Sequence, residues 1–172
     1  LSANESHTMD LSTTYLGLQL PHPFITGASP LVDDLDMVRR LEDAGAAAIT
    51  MHSLFEEQIT AERDATWWHV DSHAEGHAEA TSYFPRHDEY RLGPDTSLEQ
   101  IRRIKAAVAV PVIASLNGTT GRGWVEYAQA MQQAGADALE LNVYMVATDL
   151  DVAGDAIEQR VIDAAHLVRA SV

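Results

Sequence analysis

The chain has 172 residues, 46% of them apolar, which suits one folded domain with a real core and does not suit a disordered chain. Lys and Arg number 11 against 26 Asp and Glu, a formal charge of −15 that argues against nucleic acid or an anionic membrane surface as partner. There is no cysteine, which excludes disulfides, thiolate metal sites and a cysteine nucleophile.

No apolar run approaches the roughly 20 residues that a membrane span needs. Residues 1–8, LSANESHT, read as a polar tail ahead of a natural start at Met9, without the charged-then-apolar order of a secretion signal. A cytoplasmic location is the expectation.

Residues 9–172 read as a single α/β domain. Residues 13–20, TTYLGLQL, predict a small hairpin with Gly17 in its turn. Four strand–helix units follow. The first strand is expected near 24–26, with a helix over about 34–44 that Asp33 or Asp34 caps and Gly45 ends. The second strand is expected at 47–51. A stretch of about 54–95 then reads as an insertion after a strand tip, and such insertions in β/α folds lie over the ligand-binding face. The spacing of Ser97 and Gln100 resembles a capping box that opens a helix ending near 108. The third strand is expected at 110–115 and its helix over about 124–134. The fourth strand is expected at 138–142, with a last helix near 154–170.

An internal echo supports this order. Residues 44–49, AGAAAI, parallel residues 134–139, AGADAL, as if a glycine stops a helix and a buried strand follows. The strands are runs of apolar residues rather than alternations, the pattern of parallel strands covered on both faces.

Two strands end in polar tips, PVIASLNG at 111–118 and ALELN at 138–142. Ligands of parallel α/β sheets bind at the carboxyl ends of strands, so Asn117 and Asn142 are expected to flank a site for a polar, planar ligand.

Other motifs admit plainer readings. The glycine-rich run 118–123, GTTGRG, invites a phosphate cradle, yet lacks a P-loop ending and reads equally as a strand-to-helix turn. His69, His73 and His77 share one face if helical and are weak candidates for a zinc site; a solvated helix on the insertion needs no metal. Trp67 and Trp68 would cover a ligand or fill the core. Glu56 and Glu57 would serve as bases or remain solvated. Tyr83, Phe84 and Pro85 form an aromatic-proline turn. Lys105 is the only lysine and is placed in a helix, so no Schiff-base lysine sits at a strand tip.

The runs MDLSTTYLGLQLPHPFITGASPL, RRLEDAGAAAITMHSLFEEQI, SYFPRHDEYRLGPD, PVIASLNG and ALELNVY resemble the dihydroorotate dehydrogenase-like FMN oxidoreductases. The likeness covers nearly everything from Met9 onward and is nearest to the less characterised branch of that family. It implies a TIM barrel with FMN at the carboxyl ends of the strands. It also implies hydride transfer between a substrate C–H and the flavin. Ala28 and Ser29 match the family's flavin-contacting pair after the first strand. His52 and Ser53 occupy the place of a Lys-Ser pair, and Asn117 and Asn142 match amide contacts to flavin or substrate.

Two departures stand out. His52 replaces a fixed positive charge with an imidazole. Met145 falls where the family carries its proton-abstracting cysteine or serine, and a thioether cannot act as a base; Tyr144 is a weak alternative. Eight β/α units need about 250 residues, whereas four fit here, giving a (β/α) half-barrel with an N-terminal hairpin. The expected partners are a small-molecule substrate and either a second copy or a missing C-terminal half. The alternative function is a non-catalytic half-barrel that self-associates or belongs to a longer barrel, binding flavin weakly or not at all.

Overall fold

The computed structural model describes residues 9–55, 94–118, 121–143, 148–149 and 151–172. Strands β1 (Thr13–Tyr15) and β2 (Leu18–Leu20) form the antiparallel hairpin. Its two-residue turn places Leu16 at φ 52° and Gly17 at φ 79°. Positive φ at both positions matches the right-handed twist of the flanking strands.

Residues 24–26 are not a regular strand, yet they run beside the next one. Ala47 N–H donates to the Phe24 carbonyl at 2.9 Å and Thr26 N–H donates to the Ala48 carbonyl at 3.1 Å. A 3-10 turn (Pro30–Asp33) leads into α1 (Leu35–Asp43). Asp34 is the cap, its carboxylate accepting from Asp36 N–H at 2.9 Å.

The second strand extends further than expected and is broken. β3 (Ile49–Thr50) and β4 (Leu54–Phe55) both pair in parallel with β5 (Val112–Asn117). Thr50 stands opposite Ile113 and Leu54 opposite Leu116, so Met51, His52 and Ser53 face only Ala114 and Ser115. The extra residue is a bulge, which bends the strand and re-aims its side chains. Residues 54–55 therefore belong to the sheet, and the segment expected to be inserted from Leu54 starts no earlier than residue 56. β6 (Ala138–Asn142) pairs in parallel with β5 along its whole length, Asn117 level with Asn142.

Helix α2 (Pro94–Ala107) starts three residues earlier than predicted, and the capping box does not form. Ser97 lies inside the helix, and Gln100 is buried with its Nε2 donating to the carbonyls of Val32 (2.9 Å) and Asp33 (3.1 Å). The amide is used to tie α2 to the 3-10 turn. Helix α3 (Gly121–Gln133) also starts early, so Gly121 and Gly123 form its first turn. Helix α4 (Gly154–Arg169) follows β6.

The internal echo has a physical basis. Ala46 N–H bonds the Leu41 carbonyl and Gly45 N–H the Glu42 carbonyl; Ala136 N–H bonds Met131 and Gly135 N–H bonds Gln132 in the same way. Both glycines have positive φ, 93° and 103°. These are two copies of the glycine-terminated helix ending that satisfies otherwise orphaned carbonyls.

The sheet has a covered face and a more open one. Ile49, Leu54, Val112, Ala114 and Leu116 pack against Val38 of α1, Ile101 and Ile104 of α2, Trp124 and Met131 of α3 and Val168 of α4. All four described helices thus lie on one face of a singly wound parallel sheet. Full burial of each large aliphatic residue there contributes about 1.5–3 kcal/mol. The opposite face carries a smaller cluster, Ala47, Ala48, Ile113 and Leu20 of the hairpin. This α/β architecture is compatible with part of a β/α barrel.

Candidate functional site

Alternation along β5 and β6 decides what the open face presents. With Val112, Ala114 and Leu116 turned to the helices, Ile113, Ser115 and Asn117 turn the other way. Their partners in register are Ala138, Glu140 and Asn142. The face therefore changes from apolar at the amino end to polar at the carboxyl end.

Four polar side chains meet there. Ser53 and Ser115 hydroxyl oxygens are 2.7 Å apart, and Ser115 Oγ donates to Glu140 Oε1 at 2.7 Å. Asn142 Nδ2 donates to Ser115 Oγ at 3.1 Å, to Glu140 Oε1 at 3.2 Å and, more weakly, to Ser53 Oγ at 3.4 Å. A hydroxyl has one proton, and that of Ser115 goes to Glu140. Ser53 must then donate to Ser115. The protons are aligned in one direction, from Ser53 through Ser115 to the carboxylate. Ser115 is 1% exposed and uses its one donor and both acceptor sites. The bulge between β3 and β4 is what brings Ser53 to this chain.

Asn117 is the counterpoint. Its Oδ1 is buried and has no hydrogen-bond partner among the described residues. Leaving a buried amide oxygen unpaired costs about 1–3 kcal/mol, which a ligand N–H at this position would recover. At the strand tips the open group is the Asn117 Oδ1 acceptor, whereas the Asn142 Nδ2, Ser53 and Ser115 protons are committed within the network. An acceptor there fits the N–H of a heteroaromatic ring edge such as that of an isoalloxazine.

The remaining predicted residues are distributed as follows. His52 is exposed next to Ser53. Ala28 is exposed and Ser29 half-buried where residues 27–29 leave the carboxyl end of the sheet; Ser29 precedes the 3-10 turn and its carbonyl accepts from Val32 N–H at 3.4 Å. Neither joins the Ser53 network through a hydrogen bond among the described residues. Tyr144, Met145, the histidines 69, 73 and 77, Trp67, Trp68, Glu56, Glu57 and residues 83–85 lie outside the described residues. Among the described residues no cluster of His, Cys, Asp and Glu could hold a metal ion.

Ser115 and Glu140 are the members of the site that sequence reasoning missed. The signal was present as a period-two polar pattern, Ser-x-Asn in one strand and Glu-x-Asn in the next.

The amino end of the sheet is built for stability. Lys105 pairs with Asp137 at 2.7 Å, and the same carboxylate accepts from Val112 N–H at 2.7 Å. The only lysine is therefore at the end remote from the strand tips. A small cavity of about 100 Å³ among Ala128, Met131, Ala136 and Val172 also lies at that remote end. Asp10, whose carboxyl is held below its usual range by the Ser12 N–H and hydroxyl, is an exposed residue of the N-terminal segment.

No protein-family model matches the chain. No helix among the described residues is long and apolar enough to cross a membrane. The chain is similar to the NAD-dependent dihydropyrimidine dehydrogenase subunit PreA of Escherichia coli strain K12, at 29% identity over 139 residues that cover 78% of this chain and 32% of that protein. It is equally similar, at 29% identity, to the PreA subunit of Escherichia coli O157:H7. The chain thus spans about a third of the length of these relatives, and its similarity to a dehydrogenase subunit is a distant one.

Proposed function

We propose that this chain carries half of the site of an FMN-dependent oxidoreductase of the dihydroorotate dehydrogenase-like type, built on a (β/α) half-barrel. The observation that carries the reading is the buried Oδ1 of Asn117, without a hydrogen-bond partner among the described residues, beside the Ser53–Ser115–Glu140–Asn142 network. The sequence resemblance and the distant similarity to a dihydropyrimidine dehydrogenase subunit support it.

In this reading Asn117 and Asn142 hold the polar edge of the flavin ring, with Ala28, Ser29, His52 and Ser53 around it. Bound flavin would supply a two-electron acceptor or donor for hydride transfer. The chain's own contribution is orientation and a route for a proton. Ser53 is half-buried at the tip, and a proton taken up there can pass through Ser115 to the Glu140 carboxylate. That route would take the place of the base that Met145 cannot provide. The substrate class that fits the Asn117 acceptor is a small, planar ring bearing an N–H.

Titration of the purified chain with FMN, followed in the flavin's visible band and by quenching of its fluorescence, tests the reading. Saturable binding that Asn117→Leu weakens at least tenfold is expected. A colourless protein that takes up no added FMN refutes it and leaves the non-catalytic half-barrel as the function.

A further inference from the structure

An asparagine amide has a donor end and an acceptor end of nearly equal shape, so what it presents to a ligand depends on which way its neighbours turn it. The hydrogen bonds of the Asn142 side chain among the described residues all leave from Nδ2, to Ser115 Oγ at 3.1 Å, Glu140 Oε1 at 3.2 Å and Ser53 Oγ at 3.4 Å. The two serines do not fix this direction, because a hydroxyl donates or accepts as its surroundings require. An ionised carboxylate only accepts. Asn142 with its amide reversed would set Oδ1 against Glu140 Oε1, oxygen against oxygen.

Glu140 orders the serines in the same way. Its Oε1 takes the Ser115 proton at 2.7 Å, which leaves Ser115 only lone pairs to offer Asn142 and Ser53. This exposed carboxylate lies two residues before Asn142 on the same face of β6, in register with Ser115. It sets the direction of the whole network, and the consequence falls at the open end. Asn142 turns its Oδ1 away from the carboxylate. Asn117, level with Asn142 on the neighbouring strand, holds its own Oδ1 buried and without a partner among the described residues. The two amides sit on strands about 4.8 Å apart, and each has its oxygen left for a ligand.

We propose that Glu140 is a positioning residue that sets what the site recognises. Its charge holds Asn142 Oδ1 toward the ligand beside Asn117 Oδ1. The tip then selects a planar ring by its N–H edge and discriminates against the same ring when that nitrogen is alkylated. Glu140 acts through Asn142 and needs no contact with the ligand. The hydrogen-bond direction stands on the network alone, whereas the choice of ring rests on the flavin reading above.

Two measurements on the 172-residue chain test it, with thermal melting as the control for folding. The first is nuclear magnetic resonance of the Asn142 side-chain NH2, assigned by its absence in Asn142→Ala. The two Nδ2 protons should be well separated in shift in the wild type, and Glu140→Gln should bring them toward the values of a free amide. An Asn142 signal indifferent to Glu140→Gln overturns the proposal whether or not flavin binds. The second is titration with oxidised FMN, whose only ring N–H is at N3, and with its N3-methyl derivative. The wild type should bind FMN about tenfold or more tightly than the methylated flavin, the equivalent of one hydrogen bond to a buried acceptor. Glu140→Gln, whose amide lets Asn142 reverse, should reduce that ratio to about threefold or less at an unchanged melt. Equal binding of the two flavins by the wild type overturns the proposal without recourse to any variant, and leaves the flavin reading standing. A ratio that Glu140→Gln leaves unchanged also overturns it and assigns the discrimination to Asn117. If neither flavin binds, the flavin reading fails, and the Asn142 signal alone decides the role of Glu140.

Discussion

Asp137 is the residue whose removal has the most predictable cost. Its carboxylate accepts from the Val112 N–H at 2.7 Å and from Lys105 Nζ at 2.7 and 3.0 Å. The two bonds are worth different amounts. Val112 is fully buried at the start of β5, so its amide has no access to water when the carboxylate is gone. An orphaned buried donor costs about 1–3 kcal/mol. The Lys105 pair has about a third of its side-chain surface exposed on each side, 32% and 27%, and Lys105 regains water when released. Screening leaves it worth about 0–1 kcal/mol. Asp137→Ala should therefore destabilise by about 1–4 kcal/mol, which for a chain of this size lowers Tm by about 2–16 °C. Asp137→Asn keeps an acceptor for Val112 and loses only the charge, so its loss should be about 1 kcal/mol or less. Thermal and urea unfolding of the two variants with the wild type measure this order. Equal losses for the two variants would refute the reasoning, because they would assign the cost to the ion pair rather than to the buried amide.

Gly45→Ala and Gly135→Ala should each cost about 1–2 kcal/mol in urea denaturation, since alanine is strained at the φ of 93° and 103° those positions hold. A Cβ at Gly45 meets nothing within 4 Å, whereas one at Gly135 touches Lys105 Cγ at 3.4 Å, so Gly135→Ala should be at least as damaging. Ser115→Ala leaves Ser53, Asn142 and Glu140 to find water at the open tip and should cost about 1 kcal/mol in stability. The same substitution interrupts the hydroxyl chain to Glu140, so any proton-dependent step at the site should slow far more than stability falls; equal, small effects on both would remove Ser115 from the proton route.

Much of the arrangement was legible in the chain. The helix stops at Gly45 and Gly135, an aspartate cap at 33 or 34, the hairpin turn at Gly17 and the apolar strand at 138–142 are local matters, decided by φ preference, a side-chain acceptor and hydrophobic run length. The capping box at Ser97 and Gln100 failed because a long-range demand, the buried carbonyls of Val32 and Asp33, claimed the glutamine. The end of the second strand was missed for a related reason. Residues 52–53 do not look like a continuing strand, because a bulge opposite β5 is a property of the pair and not of either strand alone.

By itself the sequence determined the β/α alternation, the absence of any cysteine or strand-tip lysine chemistry, and the two asparagines that end adjacent strands. Only the tertiary structure decided which polar groups act together. Ser53 lies 62 residues from Ser115, and Ser115 lies 25 from Glu140, yet the three share one chain of hydrogen bonds. Register places Ser115 opposite Glu140, and the bulge turns Ser53 toward both. Hydrogen bonds require contact within about 3 Å, and such contact between distant segments is set by how the strands pair.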